Sequence, residues 1–203
     1  MVRPTRGARR ERAASVVGVL GVAILLSTAS CARQPSPYDS FSDSGPAADV
    51  AAVREALPDL LQREDSVGRV VVDASGAVTE ELNLSPAAVA QRREELSQVA
   101  TPARVTTDLP VIERGMAELV KDSAAAESLA YTAAQIKVDA FRGIAVDGDR
   151  TTAVLRSSEC YTRLDATENC GPPSDTRVTL ERASSGDWQI ASRSSRYVPR
   201  QAP

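Results

Sequence analysis

At Tyr131 the hydrophobic period of the chain changes, and that change constrains the fold more than any other feature of the sequence. Before it, apolar residues recur three and four apart. Val50, Val53, Leu57, Leu60 and Leu61, with Arg54 and Glu55 on another face, predict an amphipathic helix over 46–64. After it, apolar and polar residues alternate. Ile136, Val138, Ala140, Ile144 and Val146 fall on one side, and Gln135, Lys137, Asp139 and Phe141 on the other. Helices followed by strands of this kind predict an α+β domain, with the helices packed on one face of a curved antiparallel sheet.

Local signals refine each half. Pro46 suits the first turn of its helix, and Pro58 is expected to kink or split that helix by removing one amide and crowding the preceding turn. Residues Gly68 to Val72 and Ala77 to Leu84 flank Asp73-Ala74-Ser75-Gly76 and predict a small hairpin. Ser85-Pro86 opens a helix bearing Val89, Leu96 and Val99, which stops near Thr101-Pro102. The next helix is expected from about Asp108, with Leu109, Ile112, Met116, Leu119 and Val120 on its apolar side. In the strand half, Asp147-Gly148-Asp149 turns the chain into Thr152, Val154 and the Cys160 region. Ser184-Ser185-Gly186-Asp187 then joins Thr176–Arg182 to Trp188–Val198, giving four long antiparallel strands.

The stretches VDAFRGIAVDGDRTTAVLRS and DTRVTLERASSGDWQIASRS resemble the closing strands of nuclear-transport-factor-2-like (SnoaL-like, cystatin-like) domains. The resemblance covers about residues 108–198 and ends on the Gly-Asp-Trp-Gln-Ile strand. The early hairpin around Gly76 and the helices of 46–121 depart from the simplest version of that fold. The resemblance implies a cone between sheet and helices that holds a small apolar ligand or acid-base residues, often Asp with His or Tyr. Tyr131, Asp139, Tyr161 and Tyr197 are the polar groups that would border it here. The alternation itself places Asp139 opposite Ile136 and Val138, toward solvent.

The first thirty residues lie outside this domain. Five arginines (Arg3, Arg6, Arg9, Arg10, Arg12), an apolar run from Val16 to Leu26 and the small residues Ser27-Thr28-Ala29-Ser30 form an export signal over 1–30. Thr28-Ala29-Ser30-Cys31 resembles the lipobox of bacterial lipoproteins of the actinobacterial type, in which the cysteine is diacylated and becomes the N-terminus. Thr28 departs from the pattern, which favours leucine there. Simple cleavage with secretion and an uncleaved single-span anchor are the alternatives, although an eighteen-residue stretch diluted by Ala, Ser and Thr is short for a span. Glu11 after Arg9-Arg10 fits the twin-arginine pattern poorly. Residues 31–46, rich in Ser, Pro and Asp, read as a disordered tether, 47–198 as one α+β domain and 199–203 as a tail.

Charge and missing residues exclude more than motifs assign. Without residues 1–30, which hold five arginines and Glu11, the remainder has 19 basic and 26 acidic residues, a net charge of -7. That charge repels phosphate backbones and argues against nucleic-acid binding. Histidine is absent, which removes Ser-His-Asp and Cys-His catalysis and His-ligated metals, leaving carboxylate, lysine or tyrosine chemistry. No cofactor or metal site is expected: Asp147-Gly148-Asp149 is explained as a turn and lacks the ligand spacing of a calcium loop. Cys160 and Cys170 lack the CxxC spacing of a redox pair. In an exported chain they predict a structural disulfide contributing roughly 2.7 kcal/mol at most.

The sequence thus describes a protein on the extracytoplasmic face of the cell membrane, held by lipid on Cys31. Its domain is expected to be a non-enzymatic module for an envelope protein or a small apolar ligand. The competing expectation is a SnoaL-like enzyme using carboxylate and tyrosine groups.

Overall fold

The computed structural model describes Tyr38 and residues 40–121 and 131–197. The export signal, Cys31 and the tail 199–203 lie outside the described residues. Four helices, α1 (Ala47–Val67), α2 (Glu80–Leu84), α3 (Pro86–Val99) and α4 (Pro102–Lys121), precede five strands. These are β1 (Tyr131–Asp147), β2 (Arg150–Arg163), β3 (Glu168–Cys170), β4 (Ser174–Arg182) and β5 (Trp188–Tyr197). The strands form one antiparallel sheet in the order β1-β2-β4-β5, with β3 paired to the far end of β2. This is the expected α+β order, helices on one face of a curved sheet.

The helices lie on the sheet because each carries an apolar stripe that must leave water. Val53, Leu57 and Leu61 of α1 meet Leu96 and Val99 of α3 and the sheet residues Ile144, Leu155, Val178, Leu180 and Ile190, all fully buried. A satellite cluster of Val70, Val78, Met116 and Val120 fills the space under the α1–α2 connection.

Pro58 does not split α1, which runs unbroken from Ala47 to Val67. Leu57, Leu60 and Leu61 are buried around it, and their burial outweighs the one backbone bond that proline deletes. Helix α4 starts at Pro102 rather than near Asp108. Pro102 occupies the first helical position, where no amide is needed, and Asp108 sits a turn later accepting from Arg104 Nε at 2.8 Å.

The expected hairpin over 68–84 reduces to a single bridge between Val72 and Val78. Thr79 Oγ1 accepts from the Leu82 amide and starts α2, with Glu80 and Glu81 in its first turn. The buried Asn83 then bonds the amide and carbonyl of Val71, each at 2.8 Å, occupying groups a partner strand would have used.

Two bulges bend β1. The register skips Asp139 and then Arg142, so Phe141 pairs with Leu155 and packs against the core, whereas Ala140 is exposed. Strict alternation predicted the reverse for these two. The second bulge restores the phase, and Ile144 and Val146 are buried as expected.

The last residues of the expected tether follow β1 rather than hanging free. Ser44 forms a parallel bridge with Ala145, its amide bonding the Ile144 carbonyl and its carbonyl the Val146 amide, each at 2.9 Å. Asp43 Oδ1 accepts from the Ile144 amide at 2.9 Å, and Asp43 Oδ2 pairs with Arg54 at 2.6 Å. Gly143 permits this approach, since a Cβ there would lie 2.7 Å from the Ser42 backbone.

Candidate functional site

Helix α1 ends on Glu64 and Asp65 with no basic residue in its last turn, an unfavourable placement of negative charge at a helix C-terminus. Other elements supply the cations. Arg193 of β5 extends between Asp65 (Nη1 to Oδ1, 2.5 Å), Glu64 (Nη1 to Oε2, 3.2 Å) and Glu159 of β2 (Nη2 to Oε1, 2.5 Å). Arg104 of α4 lies 2.6 Å from Glu64 Oε1. Tyr131 Oη donates to the Asp65 carbonyl at 3.0 Å, satisfying one of the last helical carbonyls. Tyr161 Oη donates to Glu159 Oε2 at 3.0 Å, and the two tyrosine rings stand 4.8 Å apart at 52°.

Glu64, Asp65, Glu159 and Asp108 share the two guanidiniums of Arg104 and Arg193, which leaves negative charge in excess. Burial pushes the Asp65 carboxyl up to about 6, against the attraction of Arg193 and with the help of Glu159 and Glu64. Its Oδ2 is buried and bonded to nothing among the described residues. Burial opposes the Arg193 charge as well, but the surrounding Asp65, Glu64 and Glu159 outweigh it and hold the guanidinium firmly protonated. Burial, then the nearby Asp65, raises Tyr131 to about 12. Burial and Glu159 raise Tyr161 further. Both phenols are therefore neutral hydrogen-bond donors at neutral pH, and Asp65 titrates within reach of neutrality.

The structure brings two of the four expected pocket residues together. Tyr131 and Tyr161 share this cluster, whereas Asp139 is exposed on its bulge and Tyr197, near the end of β5, is 54% exposed. Sequence reading passed over Glu64, Asp65, Glu159, Arg104 and Arg193. Glu159 was detectable as a charge on the inward phase of β2 after Ala153, Leu155 and Ser157. Arg193 was hidden, because the register skips Ala191 between Ile190 and Ser192 and so shifts the strand's phase.

Among the described residues, aliphatic side chains pack between the sheet and the helices. An open cleft of about 590 Å³ lies instead on the surface beside α1, lined by Leu60, Arg63, Gln98, Asp187, Trp188 and Gln189 among others. Its polar groups are engaged with neighbours: Arg63 bonds Gln98, Asp187 bonds Ser185, and Gln189 bonds the Ser97 carbonyl. Arg182 stacks over the Trp188 ring at 4.4 Å. Cys160 and Cys170 sit opposite one another on β2 and β3 and form the expected disulfide. Glu168 lies close to both sulfurs, but the bond between them removes the thiolates a metal would require.

No protein-family model matches the chain, and no curated protein sequence matches it. Solved structures resemble it at low identity. A nuclear transport factor 2 (NTF2-like) superfamily protein from Salmonella enterica is 12% identical with a TM-score of 0.30. That match covers 43% of this chain and 62% of the other, so the chain spans less than two thirds of its length. An IcmL-like type IV secretion system protein from Legionella pneumophila is 11% identical, covering 79% of this chain and 99% of the other, with a TM-score of 0.44. An NTF2-like protein with a cystatin-like fold from Novosphingobium aromaticivorans is 16% identical, covering 79% and 95%, with a TM-score of 0.32. The likeness is one of fold alone: helices followed by a curved antiparallel sheet, as in NTF2-like and cystatin-like α+β domains.

Proposed function

We propose that this is an exported, lipid-anchored, non-enzymatic protein of the cell envelope, whose domain serves as an interaction or small-ligand-binding module. The filled interior carries the non-enzymatic part of the reading. Leu57, Leu61, Leu96, Ile144, Leu155, Leu180 and Ile190 pack between the helices and the sheet, and each is fully buried. The charged cluster supports the same reading, because its tyrosines and most of its charges are spent on one another. The export signal and the lipobox-like Thr28-Ala29-Ser30-Cys31 carry the anchor. Metabolic labelling tests it: the protein should incorporate labelled fatty acid and the Cys31→Ser variant should not. Absence of label from the parent protein, or equal labelling of the variant, contradicts lipidation at Cys31.

One observation favours a second reading, an enzyme of carboxylate and tyrosine chemistry. Asp65, Glu159, Tyr131 and Tyr161 converge from three elements, with Asp65 pushed toward neutrality. An activity abolished by Asp65→Asn or Tyr161→Phe, in variants that still fold, would establish that reading in place of the first.

A further inference from the structure

We propose that the outer face of the sheet, away from the helices, docks on anionic lipid headgroups through Arg177 and Arg196. The inference rests on the reading of Cys31 as a lipid anchor. Cross-strand register defines the face. Asp175 of β4 stands opposite Arg156 of β2 and Arg196 of β5, and Arg177 is the next residue of β4 on that side. Thr176, Val178 and Leu180, in the alternate phase, are buried. Arg156 holds Asp175 through two bonds of 2.9 and 3.1 Å, and Arg142, at its bulge on β1, reaches the same carboxylate at 4.0 Å.

Arg142 and Arg156 thus share the Asp175 carboxylate, with Arg196 opposite it in register and Arg177 next along β4, in a chain whose net charge after residue 30 is -7. Arg177 and Arg196 are exposed and make no ion pair among the described residues. The other charges of the face lie toward its ends. Arg150 stands between Asp147 and Glu181 beside the β1–β2 turn, and Lys137 pairs with Glu168 at 2.6 Å beyond the arginines. Asp139 is exposed at its own bulge.

The tether arrives on this same face. Gly143 stands opposite Val154, which stands opposite Arg177, and the Ser42 backbone occupies the place a side chain at Gly143 would fill. Because the segment runs parallel to β1, tracing it from Ser44 at Ala145 back to Ser42 at Gly143 leads toward Arg142. Ser42 is only eleven residue steps from Cys31. Fully extended, they reach no more than about 40 Å. A lipid on Cys31 would hold the domain within that reach of the bilayer, where the exposed Arg177 and Arg196 would be attracted to anionic headgroups.

The test uses the chain from Ala32 to Pro203, which holds the whole compact unit Pro35–Pro203 and lacks Cys31. Co-sedimentation is measured with vesicles of phosphatidylcholine alone and of phosphatidylcholine mixed with phosphatidylglycerol. The expected result is binding to the mixed vesicles only, weakened by salt. The double change Arg177→Gln, Arg196→Gln should lower that binding roughly thirty-fold. The double change to Lys should preserve it, with an unaltered unfolding midpoint showing that each variant is folded. Equal binding to both vesicle types, no binding to the mixed ones, or an unchanged Gln variant overturns the proposal. Because the probe lacks Cys31, none of these results bears on lipidation, which is read separately from the mass of the native N-terminal peptide.

Discussion

Asp65 is the residue at which burial and charge are most opposed. Its folded carboxyl titrates at about 6 against 3.8 in the unfolded chain, so between those values the folded state binds the extra proton. Stability contributed by this group therefore rises as pH falls from 7 through 6 toward 4, and the cost of the buried charge is fully present above 6. Asp65→Asn should remove that slope and raise stability at pH 7 to 8 by on the order of 2 kcal/mol, measured by denaturant unfolding across the range. A slope unchanged in the variant would show that another group carries it. Arg193→Met has the opposite effect. It leaves Glu64, Asp65 and Glu159 facing one another without their shared cation, and should cost about 3 kcal/mol or more at pH 7, by the same measurement. At this scale the sequence disclosed residue types but not their neighbours. Tyr131 and Tyr161 were legible as polar groups of a strand, whereas Arg193 became inward-facing only through the skip at Ala191.

Elements followed the hydrophobic period where it was long and departed from it where one residue redirected the chain. The apolar stripe of α1 and the hairpins β1–β2 and β4–β5 were legible because many residues vote for the same face. The bulges at Asp139 and Arg142 were not, since an inserted residue changes the phase without altering composition. The segment Val70–Leu84 misled for a related reason. Its β-rich composition lost to a side-chain cap at Thr79 and to Asn83, which takes up the backbone groups of Val71. Asn83→Ala should therefore cost about 2 kcal/mol by removing both of these bonds, read from the unfolding midpoint. Gly143→Val offers a cleaner test of the Ser42–Gly45 segment. It should force the Ser42 backbone away, destabilise the domain by about 1–3 kcal/mol and expose the amides of Ile144 and Val146 to hydrogen exchange. Protection at both amides equal to that of the parent would show that the segment is not held there.

At the scale of the whole molecule, the fold class was readable because helices and strands occupy separate halves of the sequence, and the absence of histidine narrowed the chemistry. The function was less readable, since it depends on whether the interior is open, and many packings satisfy one hydrophobic pattern. The interior is filled, so a large-to-small change should leave a cavity there. Leu155→Ala should cost about 2–5 kcal/mol in denaturant unfolding, whereas a residue lining an existing cavity would cost less. Tethering of the domain to the membrane by lipid is tested by mass spectrometry of the N-terminal peptide of the native protein. The expected result is a peptide that begins at Cys31 and carries the mass of a diacylglyceryl group. An unmodified peptide that runs through an intact residue 31 would contradict it.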